Sequence, residues 1–431
     1  MIANCLNVNE QGHLVISGCD TIDLAKKYGT PLYVMSEEQI RDVCRRYVSS
    51  FEKNYQGNGK PIYASKAFSC KEIYRIVTNE GLDVEVVSGG ELYTALHAGV
   101  SPDKIHFQGN NKSVGELSLA IENEVGDIVV DNLSELRKIQ RISEENNAVT
   151  RISLRVKPGI DAHTHEFIKT GQIDSKFGLN LADGEVMEAA KLAAALPNVR
   201  LKGIHCHIGS QILEKEPFVH AAEVMLNAYA ELQAETGAGL EFLNLGGGFG
   251  IKYTEADQTV PYEDYMKDVS AVIHSGCERL GIPTPFIYIE PGRSIVGESG
   301  ITLYTVGTIR EIPGVRNYVA VDGGMFDNPR YALYQADYTC LLANKADQPA
   351  GYLATIAGKC CESGDLIQEH TPIQQPEEGD ILAVLATGAY NYSMSSNYNR
   401  NLKPACVMVS KGESRIVIKA ETYEDLIRND V

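Results

Sequence analysis

The chain has 431 residues and a formal charge of −18, with 44% hydrophobic and 22% charged residues. At roughly 150 residues per domain this is two or three domains with a sizeable core, and the composition excludes disordered, collagen-like and mini-protein classes. The acidic balance argues against sequence-independent nucleic-acid binding, which needs clustered Lys and Arg, but local cations can still hold a small anion. No run approaches the ~18 apolar residues of a membrane span, and Met1 to Glu10 lacks the basic and apolar regions of a secretion signal. The ten cysteines are scattered, with no C-x-x-C pair. They read as reduced thiols of a cytoplasmic enzyme, the adjacent Cys360 and Cys361 standing apart.

In chain order, Leu14–Val15–Ile16 and Leu32–Tyr33–Val34 are strand-like. From Pro61 to Gly292, eight short β-rich runs alternate with helical stretches. The runs start at Ile62, Val84, Ile105, Ile128, Ile152, Gly203, Phe242 and Phe286, and the first five are spaced by 22, 21, 23 and 24 residues. Between them, Lys71 to Glu80 carries an Ile73, Ile76, Val77 stripe, and Ser134 to Ser143 carries Leu136 and Ile139 behind Ser134 as N-cap. Glu185 to Leu196 is Ala-rich helix material. Strands alternating with helices predict a parallel sheet, and eight units over about 230 residues predict a (β/α)₈ barrel, with an open doubly wound sheet as the alternative. After Arg293 the pattern turns to strands, at 301–309, 318–321, 353–357, 381–385, 406–409 and 415–419. The fold class is therefore α/β: a barrel at 36–285, and a β-sandwich or barrel-like domain from 1–35 and 286–431.

The reactive residues fall just after these strands, where barrels carry their chemistry. Lys66 follows the first run; it is either a snorkelling surface lysine or an amine able to form a Schiff base. Gly246 to Gly250 follow the seventh run and are either a plain turn or a backbone cup for phosphate. Glu290, before Pro291–Gly292–Arg293, is either salt-bridged to Arg293 or paired with a ring nitrogen. His207 is either a satisfied core histidine or a face for a planar ring. His205 and His207 share a face, but no third ligand is identified, so no metal site is assigned. A Schiff-base lysine, a phosphate cup, a carboxylate for a ring nitrogen and an imidazole together describe a pyridoxal-phosphate (PLP) site.

At these residues the sequence resembles the fold type III, alanine-racemase-like PLP-dependent decarboxylases, and within them the diaminopimelate decarboxylase family. The carrying motifs are YASKAF (63–68), EVVSGGEL (85–92), DAHTH (161–165), KFGL (176–179), HCHIGSQ (205–211), NLGGGFG (244–250), IEPGRSIV (289–296), DGGMFDNPRYALY (322–334), CCESGD (360–365) and GAYNYSMSSNYN (388–399). The resemblance implies that Lys66 holds PLP as a Schiff base, with His207 on its ring and Glu290 at its nitrogen. Ser210, Gly248, Gly292, Arg293 and Tyr390 would bind the phosphate, with Pro291 beside them. Arg293, Arg330, Tyr334, Tyr390 and Glu362 would recognise the substrate's distal end, and Cys361 would protonate the carbanion. Cys361 and Glu362 would reach the partner's site, implying a head-to-tail homodimer. The implied reaction is decarboxylation of meso-2,6-diaminopimelate to L-lysine and CO₂, the last step of lysine biosynthesis. The alternatives are a related decarboxylase of ornithine, arginine or carboxynorspermidine type, and a non-catalytic PLP-binding homologue; a PLP-free Schiff-base aldolase is a further class. Three places depart from the family's commonest form: Glu85 where Asp is more usual, Tyr331 where Pro often follows the arginine, and 400–403.

Overall fold

In Asp83–Val84–Glu85–Val86 apolar and acidic residues alternate, so one face of the strand is greasy and the other charged. The computed structural model, which describes residues 2–160 and 175–431, shows where each face goes. The DAHTH motif at 161–165 lies outside the described residues. Eight parallel strands follow in order: β1 (Gly59–Ala64), β2 (Asp83–Val86), β3 (Ile105–Phe107), β4 (Asp127–Val130), β5 (Thr150–Lys157), β6 (Val199–Cys206), β7 (Phe242–Asn244) and β8 (Phe286–Ile289). Each pairs with the next, and β8 returns to β1 through Ile287↔Gly59 and Ile289↔Pro61. That closure makes a (β/α)₈ barrel and excludes the open doubly wound sheet.

The outer apolar face, including Val84, Val86, Ile128 and Val130, is fully buried. The helix Lys71–Asn79 buries Ile73, Tyr74, Ile76 and Val77, the stripe expected from its sequence plus one tyrosine. The charged face turns inward, where its members face one another across strands. Lys60 reaches Asp83 at 2.7 Å, Ser153 donates to Asp127 at 2.6 Å, and His106 stands 3.7 Å from Asp83 and 4.0 Å from Asp127. Burying charge is tolerable only when it is paired in this way.

The chain divides into two compact units: Val43–Gly250 with Thr259–Gly292, which is the barrel, and Met1–Asp42 with Ile251–Gln258 and Arg293–Val431. The second unit is built on the long strand Gly300–Ile312. Its first half pairs antiparallel with Leu32–Ser36 and with Ile381–Val384; its second half pairs with Arg316–Val321. The register shifts between Val306 and Ile309, a bulge that carries the strand from one sheet to the next. Leu32–Ser36 also pairs parallel with Ala405–Ser410, so the amino-terminal segment does join the β unit. Leu32, Val34, Leu303, Val306, Leu382, Val384 and Val407 share one core. Two strands, Cys340–Leu342 and Leu366–Ile373, and the helix Thr21–Tyr28 are not among the elements expected above.

One cap differs from expectation. The helix Leu133–Glu145 starts a residue before Ser134, and Asn132 is its cap, its side chain accepting from Glu135 N–H at 2.9 Å. Asn is as good a cap as Ser, and here it occupies the extended position that a cap requires. Asn132→Ala is therefore expected to cost about 1 kcal/mol, whereas Ser134→Ala stays within about 0.5 kcal/mol. Paired urea titrations of the two variants check this; equal losses would return the cap to Ser134.

Candidate active site

The barrel residues singled out by sequence converge at the C-terminal ends of their strands. Lys66 sits in the 3₁₀ turn Ser65–Ala67 directly after β1. Its Nζ donates to both oxygens of Glu85 on β2, at 2.6 and 2.9 Å. The lysine side chain is 32% exposed while Glu85 is fully buried. The amine is thus ion-paired and not simply desolvated. Burial pushes the Glu85 carboxyl up to about 7, against the pull of Lys66 and with the added repulsion of Glu290.

Glu290, immediately after β8, is equally buried but has a different shell. Its Oε1 accepts from Asn244 Nδ2 at 2.8 Å and from Gln108 Nε2; its Oε2 lies 3.2 Å from His205 Nε2. Burial alone would raise its pKa, but His205, and Lys66 at longer range, hold the carboxyl well below the usual range. A carboxylate only accepts, so His205 must donate from Nε2. Glu290's partners in the barrel are thus an imidazole and two amides. His207, one residue past β6, is half-buried and accepts the Gly247 N–H on Nδ1 at 3.3 Å. Burial, then repulsion from Lys66 and Arg155, keeps it well below the ordinary histidine range, so it is a neutral ring protonated at Nε2.

The glycine turn is built for backbone approach. A Cβ on Gly247 would stand 2.1 Å from Glu290 O, and one on Gly248, at φ +114°, 2.4 Å from Gly209 O. Only without those atoms do the loops after β6 and β7 lie side by side, joined by Ile212 N–H to Gly248 O (2.9 Å) and Gly250 N–H to Ile212 O (3.0 Å). Pro291 O accepts from Ala64 N–H at 3.1 Å, tying the loop after β8 to the end of β1. Ser210 is half-buried on the same loop as His207. An amine, an ionised carboxylate, a neutral imidazole and glycine-lined turns are a donor set that fits PLP, with its aldehyde, ring nitrogen, ring face and phosphate.

The other unit holds a second group. Arg293 donates from Nη1 to the Tyr253 hydroxyl, and its guanidinium lies 4.7 Å from the Tyr390 ring centroid. Arg330 opens the helix Arg330–Tyr334 and donates from Nη1 to Tyr338 at 2.6 Å. Its guanidinium lies 4.9 Å from the Tyr253 ring. Both arginines are buried, and no carboxylate oxygen lies within 4 Å of Arg330 among the described residues. Tyr253 and Tyr338 hold Arg330 above the ordinary arginine range despite burial. Tyr390 has φ +71°, a left-handed conformation that costs a non-glycine residue free energy and is found where a site fixes the backbone. Tyr334 is half-buried at the far end of the Arg330 helix.

Cys361 and Glu362 stand apart from this cluster. Both are exposed; Cys361 N–H donates to Asn399 Oδ1 at 2.7 Å and Glu362 accepts from the Tyr398 hydroxyl at 3.3 Å. The neighbouring Cys360 is buried, and burial pushes its thiol up to about 12. Sequence reasoning missed Gln108, Asn244, Tyr253 and Tyr338. Gln108 and Asn244 were findable as polar residues at strand ends, whereas Tyr253 and Tyr338 follow no strand. Glu85, noted only as a departure from Asp, turns out to touch the Lys66 amine. The other departures lie elsewhere: Tyr331 donates to Glu369 and Arg400 to Asp430, each at 2.5 Å.

Comparison with known proteins agrees with this geometry. The family profile "Pyridoxal-dependent decarboxylase, pyridoxal binding domain" matches residues 38–297. The diaminopimelate decarboxylase of Bacillus methanolicus is 50% identical over 412 residues, covering 96% of this chain and 95% of that protein. That of Bacillus subtilis (strain 168) is 46% identical over 426 residues, covering 98% and 96%. The crystal structure of diaminopimelate decarboxylase from M. jannaschii in complex with L-lysine matches with a TM-score of 0.92 at 35% identity, covering 100% of this chain and 98% of that one. A lysine/ornithine decarboxylase from Vibrio vulnificus, at 21% identity and a TM-score of 0.74, shares the fold. With a lysine, an ionised carboxylate and a glycine cup on one barrel rim, this chain belongs to the diaminopimelate decarboxylase family of PLP-dependent carboxy-lyases.

Proposed function

We propose that the substrate is meso-2,6-diaminopimelate, decarboxylated to L-lysine and CO₂ as the last step of lysine biosynthesis. The observation that carries this is Arg330: a buried guanidinium with tyrosines around it and no carboxylate within 4 Å among the described residues. A diamine-forming enzyme has to hold a bare side-chain ammonium, which a buried arginine repels. A second substrate carboxylate suits its planar fork, and Arg293 beside the same tyrosine adds a second cation.

In this reading Lys66 holds the cofactor, and Glu85 takes or returns the proton of its amine across 2.6 Å. Glu290, kept ionised by Gln108, Asn244 and His205, favours a protonated ring nitrogen. His207, fixed by Gly247 N–H, offers an uncharged face, and Ser210, Gly248, Pro291, Gly292, Arg293 and Tyr390 hold the phosphate end. When bound, PLP supplies the electron sink for the pair left as CO₂ departs. Tyr334 and Tyr390 complete the distal pocket with the arginines. Cys361 gives the proton and Glu362 takes the distal ammonium, both in the partner's site of a head-to-tail homodimer. Their exposure in one chain, held by Asn399 and Tyr398, supports that arrangement. No described helix is long and apolar enough to cross a membrane. All ten cysteines are unpaired, which supports a reducing cytoplasm.

CO₂ release from meso-diaminopimelate, L-ornithine, L-arginine and D-lysine tests the substrate: turnover with the first alone is expected, and turnover confined to the diamine-yielding substrates overturns it. Cys361→Ala is expected to lower kcat by about 10²- to 10⁴-fold as a lost proton donor. Mixing it with inactive Lys66→Ala is expected to restore partial activity through hybrid dimers. No complementation despite proven subunit exchange places each site within one chain. The raised Glu85 carboxyl has its own signature. Folded, cofactor-free protein keeps a proton there that the unfolded chain loses near pH 4.5, so this contribution to stability declines from about pH 4.5 to about 7. Thermal unfolding of Glu85→Gln is expected to lack that decline, and parallel pH profiles for variant and wild type would refute it.

A further inference from the structure

Two tyrosines touch the buried arginines, and their hydroxyl groups are used differently. Tyr338 is saturated: it accepts from Arg330 Nη1 at 2.6 Å and donates to Asn391 Oδ1 at 3.2 Å. Tyr253 accepts from Arg293 Nη1, yet its own hydroxyl hydrogen meets no acceptor among the described residues. A phenol that accepts one hydrogen bond retains one to give. The residue is 5% exposed, so water is a poor substitute acceptor.

The placement of Tyr253 sharpens the point. Its ring lies 4.9 Å from the Arg330 guanidinium and packs edge-on against Tyr338 at 5.4 Å, and its carbonyl accepts from Thr339 Oγ1 at 2.9 Å. Ring, hydroxyl and backbone are therefore all fixed, with one guanidinium on the hydroxyl and another over the ring. It belongs to the segment Ile251–Gln258, which follows the glycine turn directly but packs in the unit that holds both arginines. A donor held among cations has one kind of complementary guest, an anion.

We propose that Tyr253 is a substrate-binding residue, its hydroxyl donating a third hydrogen bond, beside Arg293 and Arg330, to the carboxylate at the substrate's distal end. This rests on the reading above that the arginines receive that carboxylate. The group specifies substrate as well as binding it, because a ligand lacking the carboxylate leaves the Tyr253 donor unmet.

L-lysine and cadaverine differ by that carboxylate alone, which makes them the probes. Their dissociation constants are measured calorimetrically on PLP-loaded wild type and Tyr253→Phe, with near-ultraviolet circular dichroism to follow packing. A preference of wild type for L-lysine tests the arginine reading; its absence overturns that reading whatever the variant does. Given that preference, Tyr253→Phe is expected to weaken L-lysine by about 10- to 100-fold, as for a lost hydrogen bond to a charged group, and to leave cadaverine unchanged. Equal weakening of both ligands assigns Tyr253 a structural role only, and unchanged affinity for L-lysine removes it from the site; either overturns the proposal.

Discussion

The arrangement depends on keeping one carboxylate ionised in the middle of a protein. Taking Glu290 out of water costs several kcal/mol unless donors replace the solvent. They come from three different places on the barrel: Gln108 just past β3, His205 on β6 and Asn244 on β7. No local segment could supply that set. His205 and Asn244 are paired in register on adjacent strands, Asn244 is paired with Tyr288 on β8, and Glu290 follows two residues later. Closing the sheet is therefore what assembles the anion's shell, and a register slip of one residue would turn these side chains out of the barrel. Glu85 shows the contrast. It is as buried as Glu290, but among the described residues its carboxyl is hydrogen-bonded to Lys66 alone and it feels the Glu290 charge, so its proton affinity rises where that of Glu290 falls. Two carboxylates with opposite shifts divide the work between an anchored charge and a group poised to move a proton.

The same inward face continues beneath the rim. Lys60, Asp83, His106, Asp127 and Ser153 stand there in place of the usual branched apolar side chains. Lys60 with Asp83 and Ser153 with Asp127 are joined by hydrogen bonds across strands, and the His106 ring stands between the two aspartates at 3.7 and 4.0 Å, so the interior is a charge network assembled by the closed register. Such a network adds little to net stability but strongly disfavours alternatives that would leave its members unpaired.

This explains what could be read in advance. All eight strands were legible because their outward residues, such as Val84, Val86, Ile128 and Val130, are apolar and bounded by turn residues. The convergence of Lys66, Glu290, Gly246 to Gly250 and His207 was legible because strand ends in a barrel share one rim, a rule that needs no coordinates. Gln108 and Asn244 obeyed the same rule but look unremarkable as amides until the carboxylate they hold is located. Tyr253 and Tyr338 were beyond reach: they meet the arginines through a β unit assembled from three separated stretches of chain. The Asn132 cap was missed for a smaller reason, since Asn132 and Ser134 are both good caps and only backbone geometry separates them.

That β unit solves a different electrostatic problem from the barrel. The chain carries a net −18, and the simplest way to bury two arginines would be to give each a carboxylate. For Arg330 the structure uses aromatic faces and phenol oxygens instead. A carboxylate partner would satisfy the guanidinium fully and leave nothing for a ligand. A ring face attracts the positive charge through its quadrupole without occupying the in-plane N–H groups, and a phenol oxygen occupies only one of them. The cation is thereby made tolerable in the interior while most of its hydrogen-bonding edge stays available. Lysine would not serve, because burial would strip its proton instead of preserving its charge. The tyrosine surroundings are thus the means by which a buried arginine keeps both its charge and most of its donors, which is what the proposed role as receptor for an anion requires.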